Sequence, residues 1–111
     1  MRSVEPSSCH CWRVGSTTLH VFVGDLFEPE VDAIVNSEQT DFVLSPNPST
    51  ISGQIQQRLG DVIQGELDDQ TQGQTLPPGT VLTTSGGGRY RRIYHAGFHD
   101  PTVQGVIDAN Q

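Results

Sequence analysis

The amino-acid sequence predicts an α/β domain, and three observations carry that prediction. A continuous apolar run, Ala33-Ile34-Val35, sits inside the stretch VDAIVN at 31–36. Further on, Ile51, Ile55, Leu59, Val62, Ile63 and Leu67 recur at spacings of three, four and one, the stripe of an amphipathic helix. Two β-rich runs follow, TVLTT at 80–84 and RRIYHA at 91–96. The predicted order is β-β-β-α-β-β with a helix start at the end, an α/β arrangement.

In chain order, residues 10–15 and 18–25 read as two β-rich runs separated by Gly15-Ser16, a hairpin signal. Leu19, Val21 and Val23 alternate with His20 and Phe22, which predicts a half-buried strand. Gly24-Asp25 ends it. The strand at 31–36 is apolar on both faces at its centre, as expected of a parallel strand covered by helices on both sides. Instead of a Gly or Pro turn it runs into Asn36, Ser37, Glu38 and Gln39. A loop with two prolines, DFVLSPNPST at 41–50, leads to the helix. Asn47 or Ser49 is placed to cap that helix, with Pro48 tolerated in its first turn. Gly60 marks a kink or a break into two helices. Pro77-Pro78-Gly79 turns into the strand at 80–84, and Ser85-Gly86-Gly87-Gly88 turns again. The closing PTVQGVIDANQ at 101–111 reads as the start of a helix.

Length and composition set outer limits. A chain of 111 residues is long enough for one small core, and no repeat, linker or boundary divides it. Only 33% of residues are apolar, and there are 12 glycines and seven prolines, so substantial loops are expected around that core. The net charge is −7, from 13 acids against six arginines and no lysine. Such a balance argues against general nucleic-acid binding, which needs a basic field. The absence of lysine excludes Schiff-base chemistry and an ordinary Walker A loop. Arg89, Arg91 and Arg92 form the one basic cluster, expected to be a solvated strand flank.

Cys9-His10-Cys11 invites a zinc reading, but a tetrahedral site needs a second ligand pair. His20, His95 and His99 show no such spacing, so no metal and no cofactor is predicted. No signal peptide and no membrane-length apolar run is visible, and a cytoplasmic protein is the expectation. The Ser85–Gly88 run joins two β-like segments rather than a strand to a helix N-terminus, where a phosphate cradle belongs.

The ordered series Gly24-Asp25, VDAIVN, ISGQI and LPPGTVLTTSGGGRYRRIYHA resembles the macrodomain family over about residues 17–98. Asn36-Ser37-Glu38-Gln39-Thr40-Asp41-Phe42 is most similar to the macro-histone version. The resemblance implies a mixed sheet flanked by helices, lacking the family's last strands and helices, within a single module spanning 1–111. It also implies binding of ADP-ribose or a related adenine nucleotide. By position, Asp25 resembles the acid that accepts from the adenine amino group, and Leu26 lines the adenine slot. Asn36 resembles the first Asn of Asn-x-x-Asn, bracing the loop at the strand end. Gly53 and Ile55 resemble the helix start that meets the pyrophosphate.

Several positions depart from the family pattern. Gln39 stands where the second Asn contacts the distal ribose, and it is the sole candidate for a catalytic role. Its extra methylene moves the amide by about 1 Å, a shift that can lower a rate about 100-fold. Pro48-Ser49-Thr50 replaces a glycine run, and Ser52 replaces an acid. A serine there needs another residue to activate it. The expectation is weak binding without efficient catalysis. Two alternatives stay open: a structural module with no small ligand, in which a homo-oligomer completes the sheet, and an ADP-ribosyl hydrolase.

Overall fold

A computed structural model describes residues 10–99. The chain divides into two compact units, Met1–Val31 and Asp32–Gln111. The helix start expected at 101–111 and Cys9 lie outside the described residues.

In the first unit, β1 (His10–Val14) and β2 (Thr17–Val21) pair antiparallel, with Val14 opposite Thr17 across a two-residue turn at Gly15-Ser16. All ten strand residues are exposed. The half-buried strand expected from Leu19 and Val21 is therefore corrected: both are about half exposed, at 50% and 48%. Alternation reports which residues share a face and says nothing about whether that face is covered. Past β2, Asp25 Oδ1 accepts from the Phe27 amide at 2.9 Å and the Asp25 carbonyl accepts from Glu28 N at 3.1 Å. This is an Asx-type turn, and it leaves Phe27 buried.

The second unit is a three-stranded sheet in the order β3-β5-β4 with two helices between β3 and β4. β3 (Ala33–Gln39) runs parallel to β5 (Tyr90–His99), and β4 (Thr80–Gly86) runs antiparallel to it. Asn36 sits opposite His95, and Ile34 opposite Ile93. The helices α1 (Ile51–Leu59) and α2 (Asp61–Thr71) pack against the face that carries Ile34, Ile93 and His95, and Ile55, Ile63 and Leu67 are fully buried. Each such aliphatic side chain contributes about 1.5–3 kcal/mol when removed from water.

β3 is not covered on both sides. Its burial alternates, Ile34, Asn36 and Glu38 inward, while Val35 is 64% exposed. The apolar centre AIV predicted two-sided cover, yet one residue of that triplet faces outward. The expected break at Gly60 is present: at φ 77° it ends α1 and precedes α2, a conformation that penalises any Cβ. The glycine turn after β4 is a hairpin, with Arg89 N donating to the Gly86 carbonyl at 3.1 Å. Arg89, Arg91 and Arg92 are exposed there, as expected.

Candidate functional site

The site begins with the polar end of β3. A strand with period two sends Asn36 and Glu38 to the same side, here the helix-covered side, where both are buried. Charge and amide can lie there only if their hydrogen bonds are met. The Glu38 carboxylate accepts from three donors: Gln39 N on Oε1 at 3.1 Å, and Asn36 Nδ2 at 3.0 Å and Ser52 Oγ at 2.8 Å on Oε2. Burial pushes its pKa above the usual 4.5, while the Ser52, Gln39 and Asn36 hydrogen bonds pull it back down and the Asp41 charge adds to the rise.

Behind this carboxylate the network fixes a histidine tautomer. Asn36 Nδ2 lies 3.1 Å from His95 Nδ1, and His95 Nε2 lies 2.9 Å from Thr84 Oγ1. Turning the Asn36 amide over would set its oxygen against the Glu38 carboxylate, so Nδ2 is the atom that donates to both neighbours. Nδ1 of His95 is then the acceptor, and Nε2 carries the proton toward Thr84, whose hydroxyl donates to the Ser85 carbonyl at 2.9 Å. Burial lowers the His95 pKa to about 4, against the smaller opposing pull of Glu66. The imidazole is neutral at pH 7. Among the described residues, buried Asn36 Oδ1 finds no hydrogen-bond partner.

The loop after β3 closes over this network. Phe42 is fully buried at φ 54°, a costly conformation for a bulky residue. Gln64 of α2 holds it: Nε2 donates to the Phe42 carbonyl at 3.0 Å and Oε1 accepts from Leu44 N at 2.7 Å. The loop then delivers Ser45 N to Ser52 Oγ at 2.8 Å. Thr50, rather than the expected Asn47 or Ser49, caps α1, with Oγ1 accepting from Gly53 N at 2.9 Å. A Cβ on Gly53 would stand 1.9 Å from the Asn47 carbonyl oxygen, so only glycine lets this loop cross so close to the helix.

Between the end of β3, this loop and the start of α1 lies a cleft of about 430 Å³. Glu38, Gln39, Asp41 and Ser52 supply its polar wall, and Leu44 and Phe98 are among its apolar residues. Among the described residues, no arginine lines it.

Four of the seven residues singled out from sequence fall in or against this region. Gln39 and Ser52 line the cleft, and Asn36 is fully buried behind it. Asn36 bonds to Glu38 and His95. Gly53 is at the helix start, with its N–H held by Thr50. Ile55 is fully buried in the core. Asp25 and Leu26 belong to the first unit, where Asp25 organises its own turn. Sequence reasoning missed Glu38, His95, Thr84 and Gln64. The period-two placement of Asn36 and Glu38 was the one available signal. Among the described residues, no group of three or more His, Cys, Asp or Glu could hold a metal ion, and no helix is long and apolar enough to cross a membrane.

No protein-family model matches the sequence, and no curated protein matches it. Solved structures do. Two mutant forms of the Oceanobacillus iheyensis macrodomain superpose with TM-scores of 0.66 and 0.67, at 25% and 24% identity, over 81% of this chain. The match covers 49% and 47% of those chains, so this chain spans about half the length of the macrodomain structures it matches.

Proposed function

We propose that this chain, which has a macrodomain-like fold, binds ADP-ribose or a related adenine nucleotide weakly, without efficient turnover of it. One observation carries the reading: the cleft sits at the carboxyl end of β3 beside the start of α1, where ligands of open α/β sheets are held. Gln39 offers an amide to ribose hydroxyls from its wall. For Asp25 and Leu26 the proposal concerns the type of recognition alone, a carboxylate accepting from an exocyclic amine beside an aliphatic surface.

Two features support the weakness. The Gly53 amide, which the resemblance assigns to phosphate, is taken by Thr50. Among the described residues the cleft wall carries Glu38 and Asp41 and no cation, and like charges repel an anionic phosphate. Calorimetry with ADP-ribose tests the reading. The expected result is a measurable but weak binding heat, weakened about 10-fold by Gln39→Ala, in keeping with the loss of one hydrogen bond. No heat at any concentration overturns it, and equal heats from wild type and Asp25→Ala remove the adenine role. Release of ADP-ribose from a modified protein, abolished by Gln39→Ala, would replace it with the hydrolase reading.

A second reading, a structural module that assembles with further copies, is favoured by the exposed hairpin. Two-stranded ribbons are marginal alone in water, and Trp12, Val14 and Leu19 are at least half exposed on this one. A sedimentation experiment in which a stable oligomer forms regardless of ADP-ribose supports it over the binding reading.

A further inference from the structure

We propose that Ser52 and Glu38 form a nucleophile–base pair for small, uncharged carboxylic esters in the cleft. The sequence alone gave Ser52 no activating partner. The fold supplies one: Ser52 Oγ donates to Glu38 Oε2 at 2.8 Å. A nucleophile and base in hydrogen-bond reach, with the base oriented by a third group, is the arrangement of an activated hydroxyl. Here the third group is Asn36, which donates to the same Glu38 oxygen and is itself anchored on His95. Ser45 N fixes the Ser52 oxygen from the other side.

The surroundings suit the chemistry. Both residues line the cleft. Burial raises the Glu38 pKa, which makes its carboxylate a stronger base than an exposed one. Ser52 is the second residue of α1, and the first N–H groups of a helix have no acceptor within it. The amides of Ile51 and Ser52 and the positive end of the helix dipole therefore favour negative charge at this end. The acids Glu38 and Asp41 disfavour an anionic ligand, while Val43, Leu44 and Phe98 suit an apolar acyl group.

In the acylation step the Ser52 proton passes to Glu38 Oε2 as Oγ bonds to the ester carbonyl carbon, and the carbonyl electron pair moves to oxygen. Collapse breaks the bond to the alkoxy group, which leaves as the alcohol with the proton from Glu38. Water then attacks the acyl-serine, gives its proton to Glu38, and the acid departs as that proton returns to Ser52 Oγ. The sum is ester plus water to acid plus alcohol. No redox change or second reactant is involved. The inference does not rest on nucleotide binding.

The test is labelling of the full chain with an uncharged alkyl fluorophosphonate, followed by intact and peptide mass spectrometry. Ser52 Oγ bonds to phosphorus, fluoride leaves, and the Ser52 proton goes through Glu38 to solvent. The expected result is one adduct on Ser52, none on Ser52→Ala, and labelling slowed about 100-fold in Glu38→Gln. A pH profile of the wild-type chain keeps the test independent of how the variants fold: the labelling rate should climb as Glu38 loses its proton, above pH 4.5. Hydrolysis of p-nitrophenyl acetate should follow the same profile. An absent adduct, an adduct elsewhere, or a rate that ignores pH from 4 to 8 overturns the proposal.

Discussion

The hairpin β1–β2 and the sheet β3-β5-β4 are built from the same backbone ladders, yet their side chains meet different fates. Every residue of the hairpin strands is exposed, including Trp12 and Leu19. In β3, alternate residues vanish under two helices, so that Ile34 and Asn36 are almost or wholly buried. In the hairpin, Cys11 Sγ lies 3.1 Å from His20 Nδ1 directly across the pair, and the His10 and Trp12 rings stack at 6.0 Å. The sheet's contacts reach across the chain, with Asn36 and His95 separated by 59 residues. Covering one face of a strand turns its polar side chains from solvated groups into obligate partners. That is why a candidate site forms at the end of β3.

The largest effect is expected from deleting core volume in the second unit. Ile93 is fully buried and registered opposite Ile34 and Thr84. Ile93→Ala should lower unfolding stability by about 2–5 kcal/mol in urea denaturation. A loss under about 1 kcal/mol would mean that the helices do not truly cover this face.

A smaller effect should appear with pH. The folded His95 pKa is about 4, below its ordinary 6.5, so between these values the unfolded chain binds a proton that the folded chain refuses. Stability from this group is complete above pH 6.5 and drains away as pH falls toward 4. At 1.36 kcal/mol per pH unit the gap amounts to about 3 kcal/mol. Glu38, shifted upward from 4.5, acts in the opposite sense. Its folded form holds a proton longer, so its contribution falls as pH rises above 4.5. Denaturation midpoints should therefore climb from pH 5 to 7 in the wild type and flatten in His95→Gln. Identical slopes would remove the buried neutral imidazole.

The smallest effect belongs to the hairpin. Leu19 is half exposed, and Leu19→Ala should change stability by no more than about 0.5 kcal/mol, as for other surface substitutions. A loss above about 2 kcal/mol would show that the hairpin face is covered after all, as an assembly of copies would require.

Much of the second unit was legible in the sequence. The helical stripe placed Ile55, Ile63 and Leu67 in the core, Gly60 marked the break, and the glycine run after β4 is a hairpin turn. These features depend on local periodicity and backbone freedom, which neighbours in sequence decide. The site was legible only in part. Gln39 and Ser52 were marked through the resemblance, but His95 and Gln64 were not, because each matters through a partner far away in the chain.

Between residues 10 and 99, the order of strands and helices and the main turn positions follow from local sequence pattern, as does the acidic charge from composition. The sequence also determined that Asn36 and Glu38 share one face of a strand, since the pleat repeats every two residues. Which face is covered depends on long-range packing. By burying that face, the tertiary structure set Ser52 against Glu38 and made His95 neutral, and it left the hairpin and Val35 in water. Burial is a property of long-range packing, and it is burial that converts a polar side chain from a surface group into one whose hydrogen bonds and proton are fixed.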